Sequence, residues 1–403
     1  MSIISKKVGK IKPSPTFAFA ARAEEMRNQG KDIIMLTVGE PDFDTPNHIK
    51  AAAVKAINEG KTKYTAIDGI NPLKTSIINK FKRDNNLSYN LDQITVGSGG
   101  KQVIYNLFMA SLDDGDEVII PSPYWVSYPD IVILSEGVPV IVPCSIETGF
   151  KLTPEALSNS ITKRTKWLVL NSPSNPTGSA YSKAELAALG EVLKQNPHVN
   201  ILSDDIYEHQ IFEDFKFFNI INACQELYDR TFIASGVSKT YSMTGWRIGY
   251  GAGDKTIVKA MKVLQSQSTS NPCSISQYAA LEAISGPQGF VKENAIVFEA
   301  KRDAALKILS SIDGMECYKP EGAFYIFPSI KKLLNRSTTS GKIISNCSDF
   351  TDYLLTEAGV AVVPGIAFGL ANHFRISTAT SLDTLKEGCR RIKHLCELLK
   401  HNP

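Results

Sequence analysis

The stretch Ser235-Gly236-Val237-Ser238-Lys239-Thr240 sets a lysine among small and hydroxylic residues, directly after an apolar run. Small neighbours leave room for a flat ligand against the amine. A lysine lodged near another cation loses basicity and can act as an amine nucleophile. Arg247 follows in Thr244-Gly245-Trp246-Arg247-Ile248-Gly249. An arginine beside hydroxyls can grip a phosphate. A lone lysine in a polar loop is ordinarily a solvated surface charge, so this chemistry depends on what accompanies it.

Its company is spread along the chain. Gly97-Ser98-Gly99-Gly100-Lys101 precedes an apolar-periodic helix with Val103, Ile104, Leu107 and Phe108 on one side. A helix start offers unpaired N–H groups and the positive end of the dipole, which suits a phosphate. A glycine loop there is about as often only a tight turn. Asn171-Ser172-Pro173-Ser174-Asn175-Pro176-Thr177-Gly178 is a turn by composition. Ser203-Asp204-Asp205-Ile206-Tyr207 closes an apolar run with an acid pair, an arrangement more often a solvated turn. Pro123-Tyr124-Trp125 follows another such run, where a tryptophan is more commonly core.

The chain that must position these residues is 403 long, which at about 150 residues per domain means two to three domains. Its 43% hydrophobic content is enough for a large core and excludes a disordered, collagenous or disulfide-stapled chain. The net charge of +3 leaves no electrostatic footprint for nucleic acid or an anionic membrane. No apolar run approaches the ~18–20 residues of a membrane helix. Residues 1–12 do not read as a secretory signal. The 7 cysteines form no CxxC pair, which favours reduced thiols in the cytoplasm. The 6 histidines show no HxxxH or HExxH spacing, so no metal is expected.

Short apolar runs alternate with helical patterns. The runs fall at 117–120, 138–142, 167–170, 199–203, 231–234 and 248–252; helices are expected at 48–59, 72–84 and 183–195. This alternation predicts an α/β fold with a mostly parallel sheet covered on both faces. From about residue 290 the texture changes to a long helix reaching 312, strands at 323–327, 360–363 and 373–377, and helices at 348–358 and 382–399. That reads as a smaller α+β domain. The Pro-marked stretch 12–15 reads as an extended arm or turn.

Taken together, the Ser235–Gly249 string resembles the lysine-attachment motif of the class I pyridoxal-phosphate aminotransferases, and the other motifs follow in that family's order. The resemblance covers essentially the whole chain. It implies fold type I: a large domain with a seven-stranded, mixed, mostly parallel sheet, a smaller domain, and a homodimer. The implied division is an arm at 1–16, a small domain from 17–45 and 291–403, and a large cofactor domain at 46–290.

The resemblance also implies roles. Lys239 attaches pyridoxal 5′-phosphate and moves the proton. Asp204 pairs with the ring nitrogen, while Tyr207 and Asn175 bind the ring's 3′ oxygen. Trp125 stacks on the ring. Gly99, Gly100, Lys101 and Arg247 surround the phosphate, joined by Tyr64 of the neighbouring subunit. Arg375, in Phe374-Arg375-Ile376-Ser377, holds the substrate α-carboxylate beside Asn175 and Trp125, and Gly39 offers a backbone contact from a loop that closes over the substrate. Gly236 stands where many relatives carry a phosphate-binding serine, so a hydroxyl contact is expected to be missing or moved, and Ser238 is given no role.

Specificity follows from segments 12–16, 39–46 and 243–247, which resemble the bacterial aspartate aminotransferase subgroup. That likeness implies aspartate and 2-oxoglutarate as substrates, with Lys101 and Thr16 near the distal carboxylate. It also implies a second activity on prephenate that goes with a basic residue at Lys12. The alternatives on the same scaffold are an aminotransferase of aromatic or alanine specificity and a carbon–sulfur β-lyase. A DNA-binding regulator is disfavoured by the short arm, and a nicotinamide dehydrogenase by the lack of an early GxGxxG.

Overall fold

A computed structural model of the chain describes residues 3–11 and 15–400; of residues 15–17 only the backbone is described. Its centre is a 7-stranded sheet. In spatial order the strands are Ile94–Gly97, Gly249–Ala252, Thr231–Gly236, Asn200–Asp204, Thr165–Asn171, Glu117–Ser122 and Val138–Pro143. Gly249–Ala252 runs antiparallel to both neighbours, and the remaining pairs are parallel.

Apart from the exposed edge strand Val138–Pro143, the parallel strands are buried on both faces, and their side chains divide between two cores with the two-residue period of a strand. Leu168, Leu170, Ile201 and Ile233 join one apolar cluster; Trp167, Val169, Leu202, Phe232 and Ala234 join the other. Helices Asn71–Asn85, Lys183–Lys194 and Ser274–Ser285 fill the first side, and Gly100–Ser111, Ser127–Leu134 and Lys255–Ser266 the second. Their starts follow local chemistry. Helix Lys183–Lys194, for example, opens on a capping box in which Ser182 and Glu185 satisfy each other's backbone N–H groups.

A third apolar cluster gathers Ile34 and Leu36 with residues between Ala305 and Leu399. Strand Ile34–Met35 pairs parallel with Val360–Ala361, so a segment near the chain's start packs with its last third. The single strand expected at 360–363 is in fact two. Val363–Pro364 leaves that pairing and runs antiparallel to Phe374–Ser377, which pairs on its other side with Tyr325–Ile326. Pro364 has no N–H to continue a ladder. The long helix expected to reach 312 ends at Leu309. Helices Ser127–Leu134, Lys255–Ser266 and Ser274–Ser285 were not expected from the sequence, although Asp254 caps the second of them and Val258 and Met261 share its buried face.

The parallel strands place Ser122, Asn171, Asp204 and Gly236 along one edge, at their carboxyl ends. In such sheets this is the edge where ligands bind. Lys80, fully buried on helix Asn71–Asn85, bonds to Glu208 together with Asn85 and so pins the turn that follows Asp204.

Candidate active site

A cavity of about 410 Å³ opens at this edge, the size of a small-ligand site. Among the described residues, Lys101, Lys239, Arg247 and Arg375 line it against two carboxylates, Asp204 and Glu40. A surplus of cations in a recess suits an anionic ligand.

Lys239 lies in the turn beyond strand Thr231–Gly236, and its Nζ donates to the Gly39 carbonyl at 2.5 Å. Burial, reinforced by the charges of Arg375 and Arg247 and opposed by Glu40 and Asp204, lowers its pKa to about 8. Gly39 has no room for a side chain, because a Cβ there would sit 2.4 Å from the Tyr325 hydroxyl. The adjoining Glu40 accepts a hydrogen bond from the Thr244 hydroxyl.

Asp204 ends its strand deep in the cavity. Burial pushes its pKa up to about 6, against the lowering effects of a Tyr128 hydroxyl, the Ile206 N–H and the Lys239 charge. Asn171, its register partner on the next strand, donates from Nδ2 to the Asp204 carbonyl at 2.9 Å and accepts the Asn175 N–H on Oδ1 at 2.9 Å. One side chain thus fixes the neighbourhood of both Asp204 and Asn175. The Tyr207 and Tyr325 hydroxyls are 2.8 Å apart.

Arg375 is 3% exposed. Its guanidinium donates to Asn175 Oδ1 at 3.0 Å and to the Thr37 carbonyl at 2.5 Å, while Nε has no partner. It lies over the rings of Tyr325 and Phe368, at 4.7 and 5.0 Å from their centroids. Burial lowers its pKa. Among the described residues none of its hydrogen bonds goes to a carboxylate. A buried cation held only by neutral groups awaits an anion.

At the other end, Gly99 has a left-handed φ of +86°, and a Cβ on it would meet the Arg247 guanidinium at 2.2 Å. A Cβ on Gly249 would lie 2.2 Å from the Gly100 nitrogen. The two glycines therefore bring the start of helix Gly100–Ser111 against Arg247. That helix's ladder begins with the Gln102 and Val103 N–H groups bonding to Gly99, outside which lie the N–H groups of Gly100 and Lys101. Lys101 Nζ stands 5.1 Å over the Trp125 ring. Burial and the Arg247 charge lower its pKa.

The cavity thus brings together Lys239, Asp204, Tyr207, Asn175, Trp125, Gly39, Gly100, Lys101, Arg247 and Arg375, with Gly99 behind Arg247. Tyr64 does not line it; it is 91% exposed. Lys12 lies outside the described residues, as does the side chain of Thr16, whose backbone starts helix Pro15–Asn28. Gly236 is not on the wall, whereas the flanking Ser235 and Ser238 are, so the hydroxyls sit to either side of that glycine. Sequence reasoning missed Tyr128, Tyr325, Thr37 and Asn171. Two of these left traces: Asn171 opens the Asn171–Gly178 string, and Tyr128 is an aromatic three residues beyond Trp125.

A mostly parallel sheet carrying a buried lysine, an acid and an arginine beside the start of a helix at its carboxyl edge defines a site for a small anionic ligand. Residues 31–392 match the class I and II aminotransferases, and the chain belongs to that family. It is 60% identical over 396 residues to the probable aspartate/prephenate aminotransferase of Rickettsia felis, covering 98% of this chain and 97% of that one. Identity to the aspartate/prephenate aminotransferase of Cereibacter sphaeroides is 54%, covering 98% and 99%. The crystal structure of the Rhizobium meliloti aspartate aminotransferase superposes with a TM-score of 0.97 at 51% identity, covering 99% and 100%. The chain is an enzyme, a transaminase, of α/β fold type I. Among the described residues no helix is long and apolar enough to cross a membrane.

Proposed function

We propose that the chain is a pyridoxal-phosphate-dependent aspartate aminotransferase, passing the amino group of L-aspartate to 2-oxoglutarate, and that it also aminates prephenate. The observation that carries the reading is the Lys239 amine, lowered in basicity, between Asp204 and a buried Arg375 that no carboxylate neutralises. The names of the relatives support the choice of substrates.

The residues fit the cofactor. The free N–H groups of Gly100 and Lys101, with Arg247 and Ser238, suit a phosphate dianion. Asp204, as a carboxylate, suits a protonated ring nitrogen, and Trp125 a flat ring. Tyr207 and Asn175 suit a ring oxygen. Bound there, pyridoxal phosphate supplies a sink for the electron pair left at the substrate α-carbon. Lys239 Nζ takes the α-proton as base and returns a proton as acid. Arg375 grips the α-carboxylate with its planar fork and fixes the α-carbon in front of that amine. Lys101, with Lys12 and Thr16, serves the distal carboxylate. Donor and acceptor use the same clamp and the same lysine in turn, so turnover is ping-pong.

A panel of single-turnover rates with aspartate, glutamate, alanine, phenylalanine and arogenate tests the specificity. Aspartate, glutamate and arogenate should react fastest. Faster alanine or phenylalanine would refute the dicarboxylate reading, and sustained pyruvate and ammonia release from cysteine would indicate a lyase.

A pH dependence follows from the lysine. Below its pKa of about 8 the neutral fraction of Lys239 grows about tenfold per pH unit, and above it the fraction saturates. Uptake of pyridoxal phosphate by cofactor-free protein, followed by absorbance, should accelerate up to about pH 8 and then level off. A rate flat across that range would contradict the assignment.

The exposed Tyr64 supports a homodimer with shared sites, Tyr64 serving the phosphate of the neighbouring subunit, and the reduced thiols support a cytoplasmic location. Mixing inactive Lys239→Ala chains with chains impaired by Tyr64→Ala should restore activity, since each mixed dimer holds one intact site. Mixing without gain would count against sharing.

A further inference from the structure

The ring-nitrogen acid of the proposed site is itself held by a residue with no assigned role. Tyr128, on helix Ser127–Leu134, is 1% exposed, and its hydroxyl donates to Asp204 Oδ2 at 2.5 Å. The other carboxylate oxygen has, among the described residues, only the Ile206 N–H, at 3.3 Å. The same tyrosine packs edge-on against Trp125, with centroids 5.2 Å apart and planes at 85°, and its N–H bonds to the Trp125 carbonyl at 3.0 Å. It therefore touches both groups proposed to face the cofactor ring, the acid and the stacking indole.

Other groups near Asp204 do not replace it. Asn171 bonds to the Asp204 backbone carbonyl, not to the carboxylate. The Tyr207 hydroxyl is engaged with Tyr325. Asp205 turns to Ser203 and Asn219, and Glu208 to Lys80 and Asn85. Lys239, the cation that acts on Asp204, bonds to Gly39.

We propose that Tyr128 is a positioning residue that keeps Asp204 ionised and oriented toward the cofactor's ring nitrogen while setting the Trp125 ring against the same plane. The proposal rests on the reading of Asp204 given above. A buried carboxylate deprived of its strongest donor favours the neutral acid, and a neutral acid cannot balance a protonated ring nitrogen. Burial has already moved Asp204 up to about 6, so losing the Tyr128 bond moves it further toward neutrality.

The test is a double-mutant cycle of Tyr128→Phe and Asp204→Asn. Phenylalanine keeps the packing against Trp125 and removes only the hydroxyl. Three quantities are measured: the acid limb of kcat/KM for aspartate, the rate of pyridoxal phosphate loss on dialysis, and the unfolding of cofactor-free protein. Tyr128→Phe alone should move the acid limb to higher pH, lower kcat roughly 10–100-fold, the range for a hydrogen bond to a charged group, and speed cofactor loss. On the Asp204→Asn background it should change neither kcat nor cofactor loss. Equal effects on both backgrounds, or an unmoved acid limb, would overturn the proposal, as would a change confined to unfolding. If Asp204→Asn itself leaves cofactor retention and rate intact, the ring-nitrogen reading fails. If Asp204→Asn is crippling and Tyr128→Phe is uncoupled from it, the Tyr128 proposal alone fails.

Discussion

Replacing Lys239 with alanine should lower amino transfer from aspartate by at least about 10⁴-fold, the upper range for loss of a general acid–base group. The size follows from geometry. Among the described residues the Nζ is the one amine placed among Asp204, Arg375 and Gly39, and the basic side chains lining the cavity there are not interchangeable. A guanidinium is not a base in proteins, which sets aside both arginines, and Lys101 is engaged over Trp125. Among the described residues no neighbour can take over the proton. The variant should also lose the visible absorption band of the lysine-bound cofactor, while a small amine added in solution should restore a fraction of the rate. Survival of the band, or a loss below about 100-fold, would move the chemistry to another residue.

Replacing Arg375 with lysine should lower kcat/KM for aspartate and for 2-oxoglutarate by roughly 10²–10³-fold, within the about 2–5 kcal/mol seen when a buried charge pair is broken. Lysine keeps the charge but not the planar fork that can serve Asn175, Thr37 and an incoming carboxylate together. The absorption band should remain, because Arg375 is proposed to touch substrate and not cofactor. An amine without a carboxylate should react equally with both proteins. A drop under tenfold for aspartate, or an equal drop for the carboxylate-free amine, would remove Arg375 from the clamp.

The groups proposed to do chemistry sit in short local strings at strand ends, which alone read as turns and solvated charges; the order of those strings along the chain, through its likeness to a family, gave them roles. Lys239, Asp204 and Asn175 need only a strand, a turn and the right neighbours, and such patterns show in the chain itself. Their supports were not legible, because distance in sequence hides them. Tyr128 and Asp204 are 76 residues apart, Tyr207 and Tyr325 118, and Asn175 and Arg375 200. Only the folded sheet and the packing of residues 325–377 beside it bring those pairs together. The same holds for the fold. Alternating apolar runs announced the parallel sheet, whereas the switch of partners between Val360–Ala361 and Val363–Pro364 depends on where strands Ile34–Met35 and Phe374–Ser377 lie. The crowding at Gly249 likewise arises only when its strand meets the start of helix Gly100–Ser111.

The central claim is that Lys239 is the amine that holds the cofactor. Its most direct test is to load the protein with pyridoxal phosphate, reduce it with borohydride to make the lysine bond permanent, and locate the added mass by peptide mass spectrometry. The expected result is added mass on the peptide that contains Lys239 and on no other. Added mass on a different lysine, with Lys239 unmodified, would contradict it.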